Sequence, residues 1–169
     1  AEILAPPPPA TSPPTRIMAP SIGLDAEVFP VGWAAVSSGT STVVRWDVVD
    51  RAAGWHQNSA FPGNEGNVVL SGHHNIRGEV FRYLIDLEEG DEIRLLADDE
   101  LYRYEVVTKM ILQERGMPLE VRLQNARWIA ATDHERLTLV TCWPYSTNSH
   151  RLIVVALPAR AGLPFAPAA

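Results

Sequence analysis

The chain has almost no cysteine, with one thiol, Cys142, in 169 residues. An intramolecular disulfide is therefore excluded, and the thiol is left as buried filler, a reactive group or an intermolecular link. An excess of positive charge is missing too. Fourteen Lys and Arg stand against twenty Asp and Glu, a net charge of -6, which opposes binding to a phosphate backbone and makes nucleic acid an unsuitable partner. No apolar run reaches the roughly 18 to 20 residues needed to span a bilayer, and the start lacks the basic-then-apolar order of an export signal. Spacings of the His-x3-His or Cys-x2-Cys kind are absent, so no metal site is read from the sequence. No stretch keeps a helical period over several turns.

What is present is a chain with 46% hydrophobic and 20% charged residues, enough to bury the core of one domain. Seven of the fourteen prolines fall in the first twenty positions. Residues 1–15 accordingly read as an extended Ala/Pro-rich linker, followed by a domain over 16–158 and a second Ala/Pro-rich tail over 159–169. A start on Ala1 fits removal of a preceding signal or anchor segment, and fits an engineered boundary equally. Strands are expected at Arg16–Ile22, Ala26–Val31, Val43–Val49, Asn67–His73, Glu92–Leu96, Leu101–Ile111, Leu137–Cys142 and Arg151–Leu157. Arg51–Asn58 reads as one helical turn and Glu79–Leu87 as a short helix with Phe81, Leu84 and Ile85 on one side. Met117–Asp133 is ambiguous. About eight strands in this length favour a mainly β domain closed, or nearly closed, into a barrel with short helices.

Side chains alternate across a strand, so each run splits into two faces. In the first histidine-bearing run, Val68, Leu70, Gly72 and His74 share one face, and Asn67, Val69, Ser71 and His73 the other, more polar one. In the cysteine-bearing run, Leu137, Leu139, Thr141 and Trp143 oppose Arg136, Thr138, Val140 and Cys142. A cysteine directed away from the core is better explained by reactivity than by packing. A thiolate attacking a carbonyl needs an imidazole to exchange protons with the departing and arriving groups. The developing oxyanion needs a cation or backbone donors. Arg151 opens the strand after Cys142, and antiparallel pairing of the last two strands sets it near the thiol; it also reads as an ordinary solvated cation at a strand edge. His56, His134 and His150 lie in turns without a clear partner. His73 and His74, being adjacent, point to opposite faces and make a poor metal pair.

Three segments taken together, Asn67-Val-Val-Leu-Ser-Gly-His73, Leu137-Thr-Leu-Val-Thr-Cys142 and Arg151-Leu-Ile-Val154, resemble the sortases. The resemblance runs from about Arg16 to Leu157 and includes Pro62-Gly63-x-x-Gly66-Asn67, Phe81-x-x-Leu84 and Gly90-Asp91-x-Ile93. It implies an eight-stranded sortase-type β-barrel and a cysteine transpeptidase of the cell surface. Carried over by position, Cys142 is the nucleophile, His73 the general acid and base, and Arg151 the group that orients substrate and stabilises the oxyanion. Thr141, Trp143, Ser71 and His74 flank these three and are candidates for substrate binding. The implied substrate is a Leu-Pro-x-Thr-Gly-like sorting signal, and the acceptor an amine of a peptidoglycan precursor or a pilin. The implied location is extracytoplasmic, with a membrane anchor outside this chain.

His74 stands where Arg or Thr is frequent in that family, and Trp143-Pro144-Tyr145 follows the cysteine. The short final loop is more similar to the class D and E sortases. Trp143 could floor a peptide groove or pack inside. The acidic stretches Glu88–Glu92 and Asp98–Glu100 raise the possibility of calcium, but they lack EF-hand spacing and read as solvated turns, so no cofactor is expected. A cysteine peptidase releasing the acyl group to water and a secreted, non-catalytic β-barrel binding module are the alternatives.

Overall fold

Strand β1 covers Arg16–Ala19 and stops at Pro20, which has no N–H for a further ladder bond and opens a 3-10 turn over Pro20–Ile22. The computed structural model describes residues 5–159, so most of the expected C-terminal tail, 160–169, and the first four linker residues lie outside the described residues. The chain continues through β2 (Leu24–Val31), β3 (Trp33–Ser38), β4 (Ser41–Trp46), β5 (Ala53–His56) and β6 (Asn67–Ser71). After β7 (Glu92–Ala97) and β8 (Glu100–Gln113) comes the helix α1 (Leu119–Ala126), and then β9 (Arg136–Trp143) and β10 (His150–Pro158).

Eight of these strands close a barrel in the order β1-β2-β5-β6-β9-β10-β8-β7, with β7 pairing back onto β1. Closure leaves no free edge in the barrel. The contacts β2 to β5 and β6 to β9 are parallel, and the others antiparallel. Inside, Ile17, Val68, Leu70, Ile93, Leu95, Tyr104, Leu137, Leu139, Leu152 and Val154 form one continuous core.

The expected mainly β barrel with short helices is the observed fold, but several of its elements differ from the sequence reading, including β3, which is not among the expected strands. The run expected at Val43–Val49 is β4, which pairs with β3 in a separate hairpin outside the barrel. The segment expected as a helical turn, Arg51–Asn58, instead supplies barrel strand β5. All four residues of β5 are buried, and its partners are β2 in parallel and β6 in antiparallel register. Those partners are distant in sequence, so local pattern could not show them; tertiary pairing overrides weak local preference. The expected short helix after His73 is a 3-10 turn at Arg82–Asp86. Phe81, Leu84 and Leu87, all fully buried, fasten it to the core at roughly 1.5–3 kcal/mol each. The ambiguous region resolves into α1 and a 3-10 turn at Arg127–Ile129.

The described part of the proline-rich start lies docked along the barrel. Tyr102 Oη donates to Pro8 O at 2.6 Å, Ala10 N to Pro62 O at 2.9 Å, and Asn64 Nδ2 to Ala10 O at 2.9 Å.

Candidate active site

Strand β9 lies between β6 and β10. Leu137 and Leu139 point into the core, so Val140 and Cys142 fall on the other face, as alternation requires. Cys142 is half-buried and unbridged. In the antiparallel ladder with β10 its direct partner is Arg151. Side chains of directly paired residues on one face stand about 5 Å apart at Cβ. The cation is thus carried on a rigid strand beside the thiol, and its Nη1 donates to His150 O at 3.1 Å.

The histidine arrives from the other side. β6 runs parallel to β9 with Asn67 opposite Arg136 and Ser71 opposite Val140. The strand was expected to reach His73 but ends at Ser71. Its alignment nevertheless persists, because Gly72 N donates to Val140 O at 3.2 Å and Thr141 Oγ1 donates to Gly72 O at 2.8 Å. Continuing the ladder's offset sets His73 level with Cys142. Gly72 is required here by space: a Cβ would lie 2.6 Å from Val80 Cγ1 and 2.7 Å from Phe81 Cδ2. The packed turn also returns a bond, Phe81 N donating to His73 O at 3.0 Å.

The His73 side chain is mostly buried, and its Nε2 has no hydrogen-bond partner among the described residues. Asp50 Oδ1 is 3.9 Å from Nε2, while Arg77 Nη1 holds the same oxygen at 3.2 Å. Burial holds the imidazole below the ordinary histidine range; Asp50 works against that shift and Arg77 adds to it. Sequence reasoning missed Asp50 and Arg77. Both belong to turns remote from the cysteine, and an acidic or basic turn residue carries no local mark of its partner.

The four flanking candidates are placed differently. Ser71 is buried, with Oγ 3.1 Å from His56 Nε2. Thr141 is buried and committed to Gly72. His74 is buried against Trp143 and Tyr145, ring centroids 5.4 and 5.7 Å away. Trp143 is partly buried against the core. Two loops meet around this aromatic group: Asn75 and Glu79 bond Tyr145, Arg82 Nη1 donates to Glu79 at 2.8 Å, and Asn148 Nδ2 donates to Asn75 Oδ1 at 3.1 Å.

Below Cys142 the outer face is roofed. Thr138 Oγ1 donates to Asn67 Oδ1 at 2.7 Å, and Asn67 Nδ2 donates to Trp128 O and Ala130 O, each at 3.0 Å. Two cavities, of about 410 and 440 Å3, lie elsewhere, and neither is lined by Cys142, His73 or Arg151. Among the described residues no three His, Cys, Asp or Glu side chains gather to hold a metal ion. In the acidic stretches, Glu92 pairs with Arg94 at 2.8 Å and Asp98 accepts from Thr11.

The family model described as Sortase domain matches residues 17–159. The chain belongs to the sortase family. Sortase D of Bacillus subtilis is 34% identical over 100 residues, covering 59% of this chain and 45% of that protein. Sortase SrtE1 of Streptomyces coelicolor is 30% identical over 89 residues, covering 53% of this chain and 25% of that protein. The matched parts thus span less than half of either sortase. The fold of Sortase A from Corynebacterium diphtheriae, a lid mutant, matches with a TM-score of 0.64 at 23% identity, over 93% of this chain and 73% of that one.

Proposed function

We propose that this sortase is a cysteine transpeptidase acting at the cell surface, and that His73, Cys142 and Arg151 carry its reaction. The observation that supports this reading is the row itself: one thiol, with a cation in direct register on β10 and an imidazole two residues past the end of β6 on the other side. The thiolate of Cys142 attacks the carbonyl carbon before the scissile bond of a Leu-Pro-x-Thr-Gly-like sorting signal. Arg151 stabilises the oxyanion. As the tetrahedral species collapses, the C–N bond breaks and protonated His73 gives its proton to the leaving amine, leaving a thioester on Cys142. An amine of a peptidoglycan precursor or a pilin then attacks the thioester, His73 takes its proton, and a new amide forms as Cys142 departs as thiolate, which restores the thiolate and imidazolium pair.

Only molecules with a thiolate and an imidazolium together can start. Thiols ordinarily lose their proton well above the pH at which imidazoles gain one. The downward shift on His73 widens that gap, so turnover is slow. Thr141 supports the site from the core side through its bond to Gly72, Ser71 is tied to His56 on the face of His73, and Trp143 with His74 braces the wall beside it. No cofactor takes part, and calcium has no step in this scheme. The catalytic domain works outside the membrane, tethered by an anchor beyond this chain.

The test is a peptide library incubated with the protein, followed by mass analysis of Cys142 and of released products. A thioacyl adduct and, with added amine, a new amide are expected. Cys142→Ala is expected to abolish both, and His73→Ala to lower the rate by about 10^3-fold. Full activity in either variant would sink the assignment, and hydrolysis alone despite an amine acceptor would favour a peptidase.

A further inference from the structure

The cavity of about 410 Å3 lies apart from the reacting groups, and the segment carrying Trp128 and Ala130, bonded to Asn67, covers the sheet between them. One wall is aromatic. Trp33 and Trp46 are direct partners in the β3–β4 ladder, so both rings rise from the same face of the hairpin, about 5 Å apart at Cβ, and form a single surface. A cross-strand pair of this kind can serve the hairpin alone, but here the two rings have different duties. Trp46 stacks flat on His56, with ring centroids 3.9 Å apart and planes at 14°, and His56 Nε2 is 3.1 Å from Ser71 Oγ. That ring is anchored to the barrel. Trp33 stacks on no other ring among the described residues and is 52% exposed. A flat apolar face is therefore held open at the cavity, and it can be covered at little entropic cost because an indole has few side-chain torsions to freeze.

The polar part of the lining is divided in the same way. Asn67 is committed to Trp128 and Ala130, Ser59 Oγ accepts from Val69 N at 3.2 Å, and Thr132 Oγ1 donates to His134 O at 2.8 Å. Gln57, Asn58 and Glu65 are exposed, and their side chains bond to no other described residue. The loop that presents the two amides is nevertheless fixed: Gln57 N donates to Val31 O at 3.0 Å, Ser59 N to His56 O at 3.0 Å and Ala60 N to Asn67 O at 2.9 Å. Glu65 is the one charged side chain among the described lining residues, since burial keeps the His56 ring neutral.

An open indole beside two amides and one carboxylate has a definite chemical complement. With a carboxylate and no cation, the cavity opposes phosphate, sulfate and nucleotides. A lipid chain would leave the amides and the carboxylate without partners. A proline-rich peptide would stack on the indole, but prolines offer carbonyl acceptors and no N–H, so nothing would answer Glu65. A neutral sugar ring supplies both halves. Its C–H face lies on the indole, and its hydroxyls donate to the carboxylate and both give and accept bonds at the amides.

We infer that this cavity binds a neutral oligosaccharide, with one sugar ring stacked on Trp33 and its hydroxyls held by Glu65, Gln57 and Asn58. The site stands whether or not Cys142 is catalytic. It holds the domain on a glycan surface while the thiol, on another part of the barrel, stays free.

The test is titration of the isotope-labelled protein with chitotriose, cellotriose, inorganic phosphate and a proline-rich peptide, following the indole N–H signals of Trp33 and Trp46 by NMR. Saturable shifts of both indoles are expected with at least one sugar, and none with phosphate. Trp33→Ala is expected to weaken sugar binding about fivefold, the strength of one aromatic contact. Glu65→Ala is expected to weaken it about tenfold, as loss of a hydrogen bond to a charged group does. Because the Glu65 side chain is exposed and bonds to no described residue, this second variant keeps the test decisive if Trp33→Ala folds poorly. Tyr83→Ala removes an exposed ring at the other cavity and should leave the affinity unchanged. The sugar site would be overturned by the absence of saturable shifts with either sugar up to about 10 mM, by undiminished affinity in both cavity variants, or by an equal loss in Tyr83→Ala. Tighter binding of the proline-rich peptide than of either sugar would overturn it too.

Discussion

The wall made by β6, β9 and β10 and the hairpin made by β3 and β4 use similar apolar residues and stand in opposite energetic positions. Every residue of β6 is buried, and β9 has a hydrogen-bonded neighbour on each side. In the hairpin, Trp33, Val36 and Val44 are all exposed, and neither strand joins the barrel ladder. The proposed chemistry, which depends on sub-ångström placement, is carried on the wall. Surface able to vary without endangering the fold is carried on the hairpin. The contrast teaches that a substitution in the wall should alter folding and rate together, while one at an exposed hairpin position should leave both nearly unchanged.

The sharpest way to break that contrast is to burden each region with added bulk or polarity. Gly72→Ala inserts a methyl where Val80 and Phe81 already stand at 2.6 and 2.7 Å from its position. It is expected to cost about 2 kcal/mol of stability and to lower kcat at least tenfold by displacing His73, the next residue. Val44→Thr, on an exposed hairpin position, should shift stability by less than about 0.5 kcal/mol. Urea unfolding and steady-state kinetics on the two variants check both. Equal effects would show that the wall is no more constrained than the hairpin.

Much of the wall was legible in the sequence because its signals are local. Alternation in Leu137–Cys142 placed the thiol off the core, and the Gly72-His73 pair has a packing reason that any occupant of that turn must obey. The hairpin and β5 were misread because their identity depends on distant partners. The segment Arg51–Asn58 is strand only because β2 and β6 lie on either side of it. Asp50 and Arg77 were invisible for the same reason, since their relation to His73 exists only once three loops meet.

At the seam between the two regions is His56, stacked on hairpin Trp46 and bonded to Ser71 of the wall. Burial lowers its pKa to about 4. The unfolded chain, with an ordinary value near 6.5, takes up a proton first as pH falls. Stability contributed by the neutral ring is complete above about pH 6.5 and is lost progressively down to about pH 4, by about 3 kcal/mol at most. His56→Gln keeps a polar partner for Ser71 and removes the titration. Denaturant unfolding at pH 7 and pH 5 should show a marked drop for the parent protein and a smaller one for the variant. The same drop in both would mean that the seam does not exclude water.

The smallest expected effect distinguishes the two charges that face His73. Asp50 favours the imidazolium and Arg77 opposes it, both from exposed positions where solvent screens them. Asp50→Asn should therefore lower the His73 pKa further, move the acidic limb of kcat/KM to lower pH and reduce its maximum by about twofold. Arg77→Gln should raise the His73 pKa, move the same limb to higher pH and increase the maximum by a similar factor. A merely structural role for either residue would change the height of the profile and leave the limb where it stood. Opposite displacements from two neighbouring turns would show that the rigid wall places the reacting groups, while the loops around it set how many molecules hold them in the active protonation state.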